Sequence, residues 1–332
     1  MRVEVIVNSE NWNRLEGCWV ALGEQTFSEF RVVLNDYGIN QSVIERAKSS
    51  RLYHEGRVLP VRVPGMTINQ AWNQALSCIA NSTTTPTYVG FLDEDSRPKS
   101  LWLQNLVSAA DKSDDRVGMF ASKVLAKCES RLRSTGHTLQ GWGKPDRGYR
   151  RLVDQFPSGR PLCPCLTGAL FRWHLIEEVR QPDEPFFDED IEHYWSCFDL
   201  GIKARIFGWS CDVVTDAVVV DARFDAQSES PADDKQERLK QESRLALTLK
   251  YVPCEQLPEA LINQLGGSTA NMLKRGKGEI LAKAFENLAG KRDGLLAKRS
   301  RWAQMAERNG TRVSILDETK DPLAESSQIS VL

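Results

Sequence analysis

Residues 87–98 read Thr87-Tyr88-Val89-Gly90-Phe91-Leu92-Asp93-Glu94-Asp95-Ser96-Arg97-Pro98, an apolar run that ends in an acidic triplet. A short run of this kind, without polar alternation, predicts a strand buried on both faces. A strand delivering Asp-x-Asp into a crevice suits a diphosphate held through a divalent cation. Mg²⁺ and Mn²⁺ take oxygen ligands, and the metal offsets the charge on the phosphates. An acidic triplet alone is more often a solvated surface turn. Here it directly follows the third buried strand of an α/β series, and that position gives it weight.

Upstream, Val3-Glu4-Val5-Ile6-Val7 and Phe30-Arg31-Val32-Val33-Leu34 read as strands. Between them Trp12, Leu15, Trp19, Val20 and Leu22 fall at helical spacing. Strand, helix, strand is closed most economically by a parallel pair. Both strands run into polar residues, Asn8-Ser9-Glu10-Asn11 and Asn35-Asp36-Tyr37-Gly38, at the carboxyl ends where open α/β sheets bind ligands. Residues 67–80 predict a helix with Thr67 as N-cap.

Downstream the spacing predicts a helix over 99–110, a strand over 117–121 and an irregular Gly-, Arg- and Pro-rich stretch to 165. A strand at 166–172, a helix at 173–179, an acidic loop at 183–192 and a helix at 193–201 come next. Strands are expected at 203–207 and 211–220. Residues 237–309 read as helices only, broken at Gly266-Gly267, Gly276, Gly278, Gly290 and Gly294. The last twenty or so residues read as a weakly structured tail.

The 332 residues allow one large α/β domain with an appendage, and the 41% hydrophobic and 27% charged fractions are those of a globular chain. A net charge of −2 implies no global attraction to nucleic acid. No apolar run approaches the ~20 residues of a membrane-spanning helix, and the opening residues lack a secretory leader's apolar core. The eight cysteines are scattered, with Cys163-Pro164-Cys165 the one close pair, so reduced thiols and a cytoplasmic location are expected.

These motifs together resemble family 2 of the glycosyltransferases, in particular its bacterial rhamnosyltransferase-like branch, over residues 3–224. Val5 to Asn11 looks like the family's opening strand and its loop, and Val33-Leu34-Asn35-Asp36-Tyr37-Gly38 like the turn whose first aspartate reads the base, here Asp36. Asn69-Gln70-Ala71-Trp72-Asn73-Gln74-Ala75 is similar to the family's ARNxG helix, and residues 91–98 to its FLDDDxxP motif. Cys165 to Ala169 resembles the segment lining the acceptor side. Phe187-Asp188-Glu189-Asp190-Ile191-Glu192 resembles the motif supplying the catalytic base.

The resemblance implies a GT-A fold, α/β with a mixed, mostly parallel sheet flanked by helices, and the helices-only reading beyond Phe224 adds an α-helical C-terminal extension. The two halves it implies are a nucleotide-sugar half (1–125) and an acceptor half (126–224), and the sequence beyond them reads as a helical extension (225–310) and a tail (311–332). The resemblance also implies inverting sugar transfer from a UDP- or dTDP-sugar to a glycan or lipid-linked acceptor, with Mn²⁺ or Mg²⁺. Asn8, Ser9, Asn11, Asp36, Asn73, Asp93 and Glu94 are the expected donor contacts. Asp190 is the expected base, with Glu189 and Glu192 as fallbacks; a solvated helix start is the plainer account of these carboxylates.

Two residues depart from the pattern. Asp221 stands where many relatives place a metal-binding histidine, so the expected metal ligands are Asp93, Asp95 and Asp221, with Asp216 as a neighbour. Trp72 stands where relatives have arginine, which leaves any phosphate contact to Arg97 or Arg223. On the acceptor side the expected residues are His137, Trp142, Thr167, Gly168 and Glu192. The other histidines, His54, His174 and His193, read as surface or packing residues.

Residues 271–310 hold ten Lys or Arg and four Asp or Glu, with an amphipathic stretch at Ile280, Leu281, Phe285 and Leu288. That stretch suits packing on the catalytic domain, a homodimer contact, or peripheral docking on an anionic membrane. Two rivals to the transferase reading are weighed. A sugar nucleotidyltransferase usually has a Gly-rich loop after its first strand, and Asn8 to Asn11 has no glycine. A catalytically silent sugar-nucleotide binder or scaffold has no physical need of Asp93, Asp95 and Asp190 together.

Overall fold

The computed structural model describes residues 2–39, 42–138, 147–157, 159–181, 184–224, 234–264 and 278–311. The chain forms two compact units, and the first holds Met1–Thr138, Asp146–Glu189 and Trp209–Glu229. It opens with β1 (Val3–Ser9), α1 (Trp12–Gly23), β2 (Phe30–Asp36), α2 (Val43–Ala47), α3 (Arg51–His54) and β3 (Val58–Arg62). α4 (Ile68–Ala80), β4 (Tyr88–Asp93), β5 (Ser96–Pro98), α5 (Trp102–Lys112) and β6 (Val117–Ala126) follow. β7 (Leu132–Ser134), β8 (Gly168–Arg172), α6 (Trp173–Val179) and β9 (Ser210–Asp221) complete it.

The strands form one mixed sheet in the order β3-β2-β1-β4-β8-β6-β9-β5, with β7 paired to β6. β3, β2, β1 and β4 run parallel, β8 is antiparallel to both its neighbours, and β9 runs parallel to β6. The sheet follows from the apolar runs: every residue of β1 is buried, and Val5, Val32, Leu92, Trp102 and Val107 join one core. The charged exception, Glu4, sits opposite Arg31 in the β1–β2 register and pairs with it at 2.8 Å. Thr67 caps α4, and Gln70 returns the hydrogen bond to the Thr67 backbone, a full capping box.

The second unit is helical. It contains α7 (His193–Ile206), α8 (Asp234–Tyr251), α9 (Leu257–Gln264) and α10 (Gly278–Arg308). Leu245 and Ala246 of α8 pack with Leu288 and Leu295 of α10. Leu288 of the amphipathic stretch is therefore covered within this unit and Leu281 is buried, whereas Phe285 stays exposed. Among the described residues no helix is long and apolar enough to cross a membrane.

Two expectations fail here. The strand expected at 203–207 is the end of α7, because Lys203 must lie one helical turn from Asp199 to make its buried 2.7 Å ion pair. Short apolar runs do not distinguish strand from buried helix. Gly290 and Gly294 do not break α10. Both are exposed with open space around them, and Leu288, Leu295, Arg299 and Trp302 continue the buried face past them. That packing offsets the ~1 kcal/mol that each helical glycine costs. The expected breaks at 266, 267 and 276 lie outside the described residues.

Candidate active site

The carboxyl ends of β1, β2 and β4 line up in register, with Ser9 beside Asp36 and Asn8 beside both Asn35 and Asp93. Asn8 is buried and faces inward, accepting from Asn35 Nδ2 at 2.8 Å and donating to the Ile68 carbonyl at 3.3 Å. Ser9 Oγ donates to Glu94 Oε2 at 2.8 Å, and the backbone N–H groups of Glu10 and Asn11 donate to the same oxygen. Burial pushes the Glu94 carboxyl up, against the hydrogen bond from Ser9 and the charge of Arg14. Glu94 thus fastens the loop after β1 to the loop after β4. Asn11 caps α1 by accepting from the Asn13 N–H.

Asp36 has no exposed surface. It accepts from the Gly38 and Val43 N–H groups and Ser42 Oγ, and pairs with Arg62 at 2.6 Å. Gly38 is required beside it, since a Cβ there would lie 2.8 Å from the Glu10 carbonyl oxygen. Next to this turn opens a groove of about 510 Å³, lined by Glu10, Asn11 and Trp12 on one side and Ile39, Ser42 and Arg46 on the other.

The acidic triplet is assembled around Ser96. Ser96 Oγ accepts from the Asp93 N–H at 3.1 Å and donates to the Thr167 carbonyl at 2.7 Å. Thr167 Oγ1 donates to Asp93 Oδ2 at 3.0 Å. Asp221, the last residue of β9, stands opposite Ser96 in the β5–β9 register, and the Ala222 N–H donates to the Asp95 carbonyl at 3.0 Å. Burial pushes the Asp221 carboxyl up and the charge of Asp93 adds to it, while Arg223 and Arg133 oppose. Asp216 is exposed within β9 and takes no part in this assembly.

Cations surround the triplet. Arg14 holds Asp95 through Nη2 and Nε and reaches Glu94 Oε1 at 2.6 Å, and Arg223 lies 3.8 Å from Asp95. Arg97, a sequence candidate for a phosphate, instead braces the loop by donating to the carbonyls of Glu94, Ser96 and Arg14. A Cβ at Gly17 would lie 2.0 Å from Arg97 Nε, so the missing side chain on α1 is what admits the brace. The sequence reading missed Arg14 and Ser96. The signal for Arg14 was its place one turn after Glu10, on the helix that follows the first ligand loop.

The α4 motif does different work from that expected. Asn73 exchanges two hydrogen bonds with the Phe187 backbone and donates to Glu189 Oε1 at 3.2 Å. Gln70 donates to Glu189 Oε2, and Asn69 to the Asp188 carbonyl. Asn73 is therefore spent on the acidic segment instead of facing the donor groove. Trp72 is buried with its ring centroid 4.8 Å from that of Phe187 and 6.0 Å from that of Phe91. It is a core aromatic, with no geometry for a phosphate.

In the helical unit, Asp190 pairs with Lys298 at 2.7 Å and Lys291 at 3.1 Å. Burial pushes its carboxyl up, but the two lysines hold it below the usual carboxylate range. Glu192 is the N-cap of α7, accepting from the Tyr194 N–H, and its other oxygen meets His193. On the acceptor list, His137 is buried and bridged through its backbone to Cys163, so its ring faces no solvent. Gly168 is a packing position, since a Cβ there would lie 2.7 Å from Val219 Cγ2. Trp142 lies outside the described residues.

No protein-family model matches the chain, and no curated protein does. Among solved structures it is similar to S. aureus TarS 1-349 in complex with UDP-GlcNAc. The TM-score is 0.55 at 15% identity, over 95% of this chain and 93% of that one. It is also similar to GalNAc-T7 with UDP, GalNAc and Mn²⁺, with a TM-score of 0.52 at 15% identity. That match covers 75% of this chain and 51% of that one, about half its length. At such identity the likeness carries the fold: this chain has the GT-A fold of the glycosyltransferases.

Proposed function

We propose that this protein is a metal-dependent, inverting glycosyltransferase that moves a sugar from a UDP- or dTDP-sugar to a hydroxyl of a glycan or lipid-linked acceptor. The observation that carries this reading is the gathering of Asp93, Asp95, Thr167 and Asp221 around Ser96, at the carboxyl ends of the strands. The neighbouring groove is large enough for a nucleoside. Both similar structures contain a uridine nucleotide, which supports the choice of donor.

The chemistry of these side chains suits Mg²⁺ or Mn²⁺. Asp93, Asp95 and Asp221 offer hard oxygens, and burial, which pushes the Asp221 carboxyl up, disfavours its charge in a way that a bound cation would offset. When bound, the cation supplies positive charge to the leaving diphosphate. The chain's own residues do the rest. Glu94 and Ser9 hold the loop under the donor, and Asp36 with Arg62 sets the turn beside the base.

Asp190 is the proposed base. Its ionised carboxylate takes the proton of the acceptor hydroxyl as the new oxygen–carbon bond forms and the bond to the diphosphate breaks on the opposite face. α4 fastens the segment leading to it through Asn69, Gln70 and Asn73. Exposed basic residues such as Lys283, Arg292 and Arg308 on α10 suit peripheral contact with anionic lipid from the cytoplasmic side.

A thermal-shift panel of UDP, dTDP, GDP and CMP, with and without Mn²⁺, tests the reading. UDP or dTDP should stabilise the protein far more with metal than without, by about 2.7 kcal/mol with metal at one hundred times the dissociation constant. Asp95→Ala should abolish the metal dependence. Equal stabilisation without metal would sink the assignment.

A further inference from the structure

Arg14 occupies Asp95, one of the carboxylates through which the donor site would take its cation, together with the adjoining Glu94. Its Nε lies 3.3 and 3.1 Å from the two oxygens of Asp95, and its Nη2 also meets Asp95. Nη1 lies 2.6 Å from Glu94 Oε1 and 3.9 Å from Glu10 Oε1. The Glu94 and Asp95 side chains keep only 5% and 11% of their surface, whereas Arg14 keeps 38%. The arginine thus lies over two nearly buried carboxylates from the solvent side, with room to leave. It stands in the first turn of α1, and the residues just before it in the chain, Glu10, Asn11, Trp12 and Asn13, line the groove.

We propose that Arg14 is a built-in counter-ion of the acidic triplet that must release Asp95 before a divalent cation binds, and that a nucleoside diphosphate draws it off. This rests on the donor-site reading above. A dication placed on Asp95 lies within a few ångströms of the guanidinium, and like charges at that range repel strongly where water is scarce. Metal alone therefore meets a site already neutralised. A diphosphate offers the guanidinium planar, charge-assisted hydrogen bonds of the kind it makes with a carboxylate. Metal and nucleotide then become coupled: each binds better with the other, by the same factor. A merely structural Arg14 predicts the reverse sign, since removing a brace loosens the carboxylates and weakens the cation.

The experiment measures Mn²⁺ binding to the full chain, by electron paramagnetic resonance of the free ion, with and without UDP, for wild type, Arg14→Met and Arg14→Lys. Arg14→Met should bind Mn²⁺ alone about tenfold more tightly than wild type, and UDP alone more weakly. The factor by which UDP improves Mn²⁺ binding should shrink. Arg14→Lys, which keeps the charge, should stay near wild type and serves as the check that loss of charge is the cause. If UDP recruits Mn²⁺ to both proteins but Arg14→Met binds Mn²⁺ alone no more tightly, Arg14 is only a brace and the proposal falls, with the donor site intact. If no protein takes up Mn²⁺ with or without UDP, the metal-dependent reading falls and takes this proposal with it.

Discussion

Lys298 Nζ lies 2.7 Å from Asp190 Oδ2 while Lys291 Nζ lies 3.1 Å from the other oxygen, so two lysines of one helix hold the proposed base. A carboxylate held this way is ionised at neutral pH but is a weaker proton acceptor than a free one. Asp190→Asn should lower turnover by ~100-fold or more and leave UDP affinity nearly intact.

Lys298→Met should act on the same group with a definite sign. The lysines lower the Asp190 pKa, so losing one raises it and moves the acid limb of the kcat/KM profile to higher pH. In stability terms, a lowered carboxyl contributes above its unfolded value of ~3.9 and loses that contribution as pH falls through the lower folded value. Any acid-side loss of stability from this pair therefore appears below about pH 4. An unchanged acid limb in Lys298→Met would remove Asp190 from the role of base.

Asn73 gives a test that separates positioning from donor binding. Its amide exchanges hydrogen bonds with the Phe187 backbone and supports Glu189. Asn73→Leu leaves a Phe187 N–H without that acceptor, which costs about 1–3 kcal/mol. Turnover should fall while the dissociation constant for UDP stays within a factor of about two; calorimetry and steady-state kinetics read the two independently. A selective loss of UDP affinity would return Asn73 to the nucleotide.

Gly168→Ala should be a stability variant. The added Cβ would meet Val219 Cγ2 at 2.7 Å and Ser122 Oγ at 3.3 Å. Overpacking of this kind costs about 1–3 kcal/mol, readable as a lowered urea midpoint. The KM for acceptor should change little in the folded fraction.

The helical unit should depend on its own core. Leu295 is 1% exposed and packs with Leu245, Ala246 and Leu288, so Leu295→Ala should cost about 2–5 kcal/mol. Arg292→Ala, on the exposed face of the same helix, should change stability by less than about 0.5 kcal/mol. A comparable loss in both would mean that the exposed face also packs against something.

The sequence by itself determined the strands that carry the site and where they end. Val3 to Val7, Phe30 to Leu34 and Tyr88 to Leu92 are apolar but for the paired Glu4 and Arg31, because a parallel strand is buried on both faces, and each passes abruptly into polar residues. That fixed Asn8, Asp36 and Asp93 at strand ends, and the capping box at Thr67 likewise announced α4. What those polar groups touch was decided by the tertiary structure. Asn73 meets Phe187 across 114 positions and Lys298 meets Asp190 across 108, and no local periodicity encodes such pairs. Ser96 gains its role only from the antiparallel pairing that sets it opposite Asp221. Arg14 gains its role only from the two buried carboxylates that the fold places beneath it. Hydrophobic pattern is a property of the chain over a few residues, whereas the partner of a buried polar group depends on which distant strand or helix the core packing brings beside it.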